Sequence, residues 1–238
     1  MVQTSRPMRL TERHVGYLRP ADPSEDMPPP PQGMRAATRQ DHEAILADLL
    51  PDGAQDEIWV FAYGSLIWKP ACDVVEMRTG LVRGWHRSFC LGWNNRFRGS
   101  DENPGLMLAL DRGGACKGVL QRLPADKIEQ SLYQLLERET GWLPSPFPPR
   151  WVNVRSGERT IRALTFCIDR HSGRYVSGLS VDAIADVLAK ATGSRGSMAE
   201  YLFATVTHLE DMGIHDPHLW QLQDLVAQRI EATYETDR

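Results

Sequence analysis

The chain has 238 residues, of which 42% are hydrophobic and 24% charged, as in folded globular proteins rather than disordered or fibrous ones. Its 27 basic and 31 acidic residues give a net charge of −4, so it lacks the overall basic character that binds nucleic acid. No apolar run is long enough for a membrane-spanning helix, and residues 1–13 do not resemble a secretory signal. We therefore expect a soluble cytoplasmic protein with no nucleic-acid or membrane partner.

Cysteine spacing and glycine motifs argue against several kinds of cofactor. The four cysteines are well separated and form no CxxC pair, so we expect reduced thiols packed in the core: Cys72, Cys90, Cys116 and Cys167. No Gly-Lys-Ser/Thr loop and no GxGxxG turn occur, which leaves nucleotide binding unsupported. We expect neither a cofactor nor a metal, and no feature indicates an oligomeric state.

The N-terminal quarter of the chain is predicted as an arm that precedes the catalytic domain. Residues 1–40 are polar and include the proline run 28–31, which favours an extended conformation. Residues 40–50 have the pattern of a short amphipathic helix that ends at a Pro-Asp-Gly turn. We therefore divide the chain into an arm and short helix over 1–56 and a catalytic domain over 57–238.

The middle of the chain is predicted to be mainly strand. Residues 58–63 form an uninterrupted apolar run, which is typical of a buried strand. Residues 73–93 predict strands around a hairpin, and two further hairpins are predicted around turns at 111–114 and 156–157. About six strands with such bends suggest a small closed β-barrel.

Helices are predicted before and after the last hairpin, which gives an α+β fold. The first runs over 124–139, the second follows Ser180 and ends at Gly193, and the third begins at a Ser197–Glu200 capping box. A final helix is predicted to begin at Asp216-Pro217. That helix start also accounts for a nearby group of histidines and aspartates better than a metal site does: His215, His218, Asp211 and Asp216.

Glu139 is the strongest candidate for acid–base chemistry. It lies about 20° from Ile128 around the axis of the first of these helices, on the apolar stripe, whereas Glu137 points away from the stripe. Burial and the negative end of the helix dipole both raise the pKa of a carboxyl group in this position, as a general base near neutral pH requires. A structural ion pair with Arg138 or Arg150 is the alternative interpretation.

The segment Tyr63-Gly64-Ser65-Leu66 follows the first buried strand. A glycine there permits a sharp turn, and successive backbone amides in such a turn can bind an anion. Ser65 does not lie in a GxSxG motif, so a serine nucleophile is not indicated. A simple turn that ends the strand is the alternative.

Four segments in this order resemble the ChaC family of γ-glutamylcyclotransferases: FAYGSLIWKP at 61–70, RGSDENPGLMLAL at 98–110, the Arg138-Glu139 pair, and EYLFATVTHLEDMGIHDPHL at 200–219. The resemblance covers 57–230. It implies a γ-glutamylcyclotransferase-like fold, a small mixed β-barrel surrounded by helices. It also implies a lyase that cleaves the small-molecule substrate glutathione to 5-oxoproline and cysteinylglycine.

The resemblance also implies roles for individual residues. Glu139 corresponds to the catalytic glutamate of the family, and a loop holds the γ-glutamyl group: Tyr63, Gly64, Ser65 and Leu66. Arg98 corresponds to an arginine near the pocket. Tyr201 lies on the apolar side of its helix, where its hydroxyl faces either substrate or the core.

Two features depart from the family pattern, and two other functions stay open. The proline-rich exit after Glu139 leaves the rim of the pocket undefined, and the N-terminal arm has no role in the family. The first alternative is a cyclotransferase for other γ-glutamyl peptides or amines. The second is a non-catalytic ligand-binding module. Burying a carboxylate such as Glu139 costs free energy, and a module that only binds a ligand does not need it.

Overall fold

The computed structural model describes residues 7–18, 30–50 and 57–234. Its helices, in chain order, are α1 Glu12–Tyr17, α2 Arg39–Leu49, α3 Ile128–Glu139, α4 Val181–Leu188, α5 Met198–Asp211 and α6 Pro217–Tyr234. The strands are β1 Arg35–Ala36, β2 Trp59–Ala62, β3 Glu76–Asn94, β4 Gly105–Arg122, β5 Trp142–Leu143, β6 Pro149–Ser156, β7 Arg159–Phe166, β8 Thr192–Gly193 and β9 Gly196–Ser197. None of the helices in these ranges has the length and apolar character needed to cross a membrane.

The chain divides into two compact units. The first, here called the barrel unit, comprises Pro28–Leu91 and Leu108–Tyr175. The second, here called the helical unit, comprises Met1–Met27, Gly92–Met107 and Val176–Arg238.

The barrel unit is built around a closed sheet with strand order β2-β4-β3-β6-β7. The sheet is mixed, because β2 pairs antiparallel with β4 but parallel with β7. Apolar side chains from the strands and from α3 form its core: Phe61, Leu120, Leu132, Leu135, Leu136, Leu164 and Phe166. The small mixed barrel predicted from the sequence is confirmed.

Two predicted hairpins are wrong, because each predicted pair of strands is one long strand. Residues 76–94 form β3 and residues 105–122 form β4, without a reversal in either. Gly113 and Gly114 have φ angles of +104° and +65°, so these glycines let β4 bend while it continues. The predicted hairpin around Ser156-Gly157 is confirmed and joins β6 to β7.

The helical unit packs α4, α5 and α6 against one another, with α1 beside α5 and α6. The predicted N-caps are confirmed, since Ser180 and Ser197 accept hydrogen bonds from Ala183 N–H and Glu200 N–H. Only half of the predicted capping box is present, because the Glu200 carboxylate pairs with Arg98. The Asp216 carboxylate likewise accepts one from Leu219 N–H at 3.1 Å. The second predicted helix ends earlier than expected, at Leu188, because the chain then enters the short strand β8.

The described part of the predicted arm contains regular structure. Helix α1 was not predicted, and Leu10 before it is completely buried, so residues 7–18 are packed rather than loose. Helix α2 agrees with the prediction over 40–50. Pro28 and Pro29 of the proline run lie outside the described residues. The division of function at residue 57 stays a prediction.

Candidate active site

Glu139 is the last residue of α3, and the burial of that helix follows its apolar stripe. Ile128, Leu132 and Leu135 on the stripe are buried, while Glu137 is exposed. Only 17% of the Glu139 side chain is exposed to solvent. The predicted inward orientation of Glu139 therefore agrees with the structure.

The environment of the Glu139 carboxylate holds its pKa above the usual range for glutamate. Burial is the larger effect and raises the pKa, because it removes water from the charged form, while the positive charge of Arg138 lowers it in part. Arg138 Nε lies 3.1 Å from Glu139 Oε1, so the ion pair considered from the sequence is present. Within the described part of the chain, no group donates a hydrogen bond to this carboxylate. The group is thus suited to take up a proton.

The end of α3 is fixed by buried polar contacts behind Glu139. Thr140 Oγ1 donates a hydrogen bond to the Leu136 carbonyl at 2.5 Å, which closes the last turn. The His42 ring on α2 lies 3.1 Å from the Thr140 carbonyl through Nε2. Since both Thr140 and His42 are buried, these contacts hold the backbone beside Glu139 in place.

The segment 63–66, here called the YGSL loop, forms a tight turn after β2. Ile67 N–H donates to the Gly64 carbonyl at 2.9 Å, and Lys69 N–H donates to the Ser65 carbonyl at 2.8 Å. The turn therefore has the hydrogen-bonding pattern of a helix, in which the first backbone amides have no carbonyl partner within the turn itself.

Two buried polar side chains of the barrel hold the other carbonyls of the YGSL loop. Arg87 on β3 donates through Nε to the Tyr63 carbonyl at 2.6 Å, and Gln121 on β4 donates through Nε2 to the Leu66 carbonyl at 2.8 Å. All four carbonyls of the loop are thus engaged, whereas in the described residues no acceptor is found for the amides of 64–66. These amides are available to an anionic or carbonyl oxygen of a ligand.

Arg138 connects the loop to Glu139. Besides its ion pair with Glu139, its Nη2 donates to Ser65 Oγ at 3.1 Å, and its Nη1 donates to the Lys69 carbonyl. A single guanidinium group therefore contacts both the carboxylate and the loop. The structure brings together Glu139 and the YGSL loop, which the sequence presents 74 positions apart at Ser65 and Glu139.

The other two predicted site residues, Arg98 and Tyr201, lie together in the helical unit. Arg98 Nη1 donates to the Ser197 carbonyl at 2.8 Å and to Glu200 Oε2 at 3.1 Å. Its guanidinium carbon lies 5.3 Å from the centre of the Tyr201 ring. Both residues are well shielded from solvent, with 13% of the Arg98 side chain exposed. Tyr201 is thus packed in the core, which was the alternative interpretation of this residue. A role for Tyr201 in binding substrate stays a prediction.

The sequence places Arg87 in a strand-like stretch, where a structural or substrate-adjacent role is expected, and its bond to the Tyr63 carbonyl agrees with the structural role. Three other supporting residues are not indicated by the sequence analysis: Gln121, His42 and Thr140. For Gln121 the sequence signal is a polar residue that directly follows the apolar pair Val119-Leu120 in a strand, whereas His42 and Thr140 lie on or beside helices and carry no such signal. The helix start that accounts for the histidines and aspartates at 211–218 is found where it was predicted. Among the described residues, no group of three or more histidine, cysteine, aspartate or glutamate side chains is arranged to hold a metal ion.

Comparison with known proteins places this geometry in context. The family model described as "ChaC-like protein" matches residues 58–229. The chain is 39% identical to the glutathione-specific gamma-glutamylcyclotransferase of Escherichia coli (strain K12) over 163 residues, 68% of this chain and 69% of that one. It is 27% identical to glutathione-specific gamma-glutamylcyclotransferase 1 of Homo sapiens, over 79% and 86% of the two chains. These matches confirm the family resemblance predicted from the sequence.

A solved structure supports the fold. The crystal structure of a yeast gamma-glutamyl cyclotransferase specific to glutathione superposes with a TM-score of 0.65 at 20% sequence identity, covering 73% of this chain and 97% of that one. The predicted γ-glutamylcyclotransferase-like fold is confirmed by this match.

Proposed function

Because the chain belongs to the ChaC family, we propose that it is a γ-glutamylcyclotransferase that cleaves glutathione to 5-oxoproline and cysteinylglycine. The observation that carries the proposal is the buried Glu139 carboxylate, joined through Arg138 to the YGSL loop. The names of the curated relatives from bacteria and vertebrates support glutathione as the substrate.

The reaction we propose is an intramolecular transfer. The α-amine of the γ-glutamyl group attacks the γ-carbonyl carbon, and the new C–N bond closes a five-membered lactam. The bond from that carbon to the cysteine nitrogen then breaks. Because nucleophile and carbonyl belong to one molecule, a correctly folded substrate gains a large effective molarity.

Glu139 is proposed to move the proton that this transfer requires. The α-amine reaches the site as an ammonium group and loses a proton to the Glu139 carboxylate. The same residue then protonates the departing cysteinyl nitrogen, so that Glu139 returns to its starting state. The raised pKa of Glu139 suits both steps, because a carboxyl group with a pKa closer to neutrality both accepts and returns a proton readily.

The YGSL loop is proposed to hold the γ-glutamyl group. The amides of Gly64, Ser65 and Leu66 are suited either to the substrate's α-carboxylate or to the oxyanion that develops on the γ-carbonyl. The Ser65 hydroxyl accepts its hydrogen bond from Arg138, which leaves the hydroxyl proton for a substrate oxygen. Roles for Tyr63, Arg98 and Tyr201 in binding substrate stay predictions of the family resemblance.

The experiment is quantitative mass spectrometry of the purified protein incubated with glutathione. We expect 5-oxoproline and cysteinylglycine in equal amounts, and slower turnover of γ-glutamyl-alanine and γ-glutamyl-lysine. Absence of 5-oxoproline would refute the proposed activity. Faster turnover of a γ-glutamyl amine or another γ-glutamyl peptide would refute glutathione as the preferred substrate.

A matched pair of variants on α3 tests the role of Glu139. We expect Glu139→Gln to lower kcat by about 100-fold or more, because it removes the proton acceptor while keeping the shape of the side chain. Glu137→Gln makes the same change two residues away on the exposed side of the helix and should retain normal turnover. A Glu139→Gln protein with near-normal 5-oxoproline release would exclude Glu139 from the reaction.

A further inference from the structure

Arg138 uses each of its three guanidinium nitrogens on a different partner. Nε faces Glu139 Oε1 at 3.1 Å, Nη2 donates to Ser65 Oγ at 3.1 Å, and Nη1 donates to the Lys69 carbonyl. The last two contacts hold both ends of the turn that follows β2. With 26% of its side chain exposed, Arg138 is partly buried, so these contacts are only partly weakened by water.

We propose that Arg138 is a positioning residue for the cyclotransferase reaction, in which one guanidinium group fixes the Glu139 carboxylate relative to the Ser65 hydroxyl and the loop amides. The inference rests on the proposed function and adds to it a residue that does not itself need to touch the substrate. Glu139 must reach the attacking amine while the loop holds the same γ-glutamyl group. A shared anchor for both keeps the distance between proton acceptor and binding loop constant.

The geometry requires an arginine rather than any cation. A guanidinium is planar and presents its N–H groups in fixed directions, so it can donate to Ser65 on the loop and to the Lys69 carbonyl just after it while it pairs with a carboxylate. A lysine at position 138 keeps the positive charge, but its single ammonium cannot occupy the three places that the guanidinium nitrogens occupy. Lysine and glutamine at this position therefore separate the effect of the charge from the effect of the geometry.

The charge has its own consequence for Glu139. Burial raises the pKa of Glu139, and the positive charge of Arg138 lowers it in part. Removing the charge should raise the pKa of Glu139 further. The base would then be protonated over a wider range of acidic and neutral pH.

The experiment compares Arg138→Gln and Arg138→Lys in the full-length chain by the pH dependence of kcat/KM for glutathione. Arg150→Gln is the matched control, because Arg150 is exposed, stacks on Trp85 and has no ion pair with Glu139. We expect Arg138→Gln to lower kcat/KM at pH 7 by about 10- to 100-fold and to shift the acidic limb of the profile to higher pH. Arg138→Lys should lower kcat/KM but keep the acidic limb near its original pH, and Arg150→Gln should leave both unchanged.

Thermal unfolding and circular dichroism establish whether each variant is folded. Folded Arg138 variants with the kcat/KM and the pH profile of the unaltered protein would overturn the inference. So would a failure of both variants to fold, which would assign Arg138 to structure alone. Full activity in Arg138→Lys would also overturn it, because the geometry of the guanidinium would then be irrelevant.

The outcome is distinguishable from a failure of the proposed function. If the unaltered protein forms no 5-oxoproline, the proposed function is wrong. If the unaltered protein is active, Glu139→Gln is inactive and both Arg138 variants are normal, only the inference about Arg138 is wrong.

Discussion

The hydrogen bond from Gln121 to the YGSL loop provides a direct test of how the barrel positions the site. Gln121 is 3% exposed, and its Nε2 donates to the Leu66 carbonyl at 2.8 Å. In Gln121→Leu, a side chain of similar size fills the space but donates nothing. The Leu66 carbonyl, in a buried residue, then loses its partner.

The size of the effect follows from the cost of an unsatisfied buried acceptor. Such a group costs about 1–3 kcal/mol. For a chain of this length, each kcal/mol lowers Tm by about 2–4 °C, so we expect a decrease of about 2–12 °C. The loop would also be less well ordered around its amides, so KM for glutathione should rise more than kcat falls.

The control for this prediction is Gln134→Leu, the same substitution at an exposed position on α3. Differential scanning calorimetry measures Tm, and 5-oxoproline release measures KM and kcat for both variants. The reasoning is refuted if Gln121→Leu lowers Tm no more than Gln134→Leu does. An unchanged KM with a lowered Tm would show that the bond supports the barrel but not the loop.

Two further predictions concern the barrel unit. A Cβ atom on Gly118 would lie 2.5 Å from the Ala62 carbonyl oxygen at the end of β2, so Gly118→Ala should destabilise the protein by about 1–3 kcal/mol or more. The control is Gly141→Ala, whose added Cβ meets no atom within 4 Å and should leave Tm nearly unchanged. Burial raises the pKa of Asp111, but hydrogen bonds, the largest from Arg170, outweigh it and hold the pKa below its ordinary value. Asp111 therefore stabilises the fold above a pH of about 4, and this contribution is lost as the pH falls through the lowered pKa. Asp111→Asn should lower Tm at pH 7, and the difference in Tm between the variant and the unaltered protein should disappear in acid. A difference in Tm that stays constant with pH would contradict the assignment.

Most helices of this protein could be predicted because their signals are local, although α1 was not predicted and α4 is shorter than expected. Ser180, Ser197 and Asp216 cap the helices that they precede, and the apolar stripe of α3 correctly predicted which side of the helix is buried. The long strands could not be predicted in the same way. Glycines within a strand and glycines in a turn look alike in sequence, and the pairing partners that distinguish them lie far along the chain.

The candidate site was only partly predictable for a similar reason. Glu139 could be found because helical periodicity and its position at a helix end are properties of one segment. The YGSL loop was found as a turn, yet its orientation depends on Arg87 and Gln121, which come from two other strands. Such long-range hydrogen bonds leave almost no trace in the local pattern.

The pairing of Arg138 with Glu139 also resolves an apparent conflict between the two interpretations of this glutamate. The sequence presents a catalytic carboxylate and a structural ion pair as alternatives, but a single arginine partner does not exclude proton transfer. Burial still dominates the pKa of Glu139, so that the carboxyl group remains easier to protonate than an ordinary glutamate. An arginine that also binds the loop limits the cost of burying the charge and, at the same time, fixes the carboxylate relative to the loop that we propose binds the substrate. The ion pair is therefore compatible with catalysis, and the pH profiles of the Arg138 variants measure how much each of these two effects contributes.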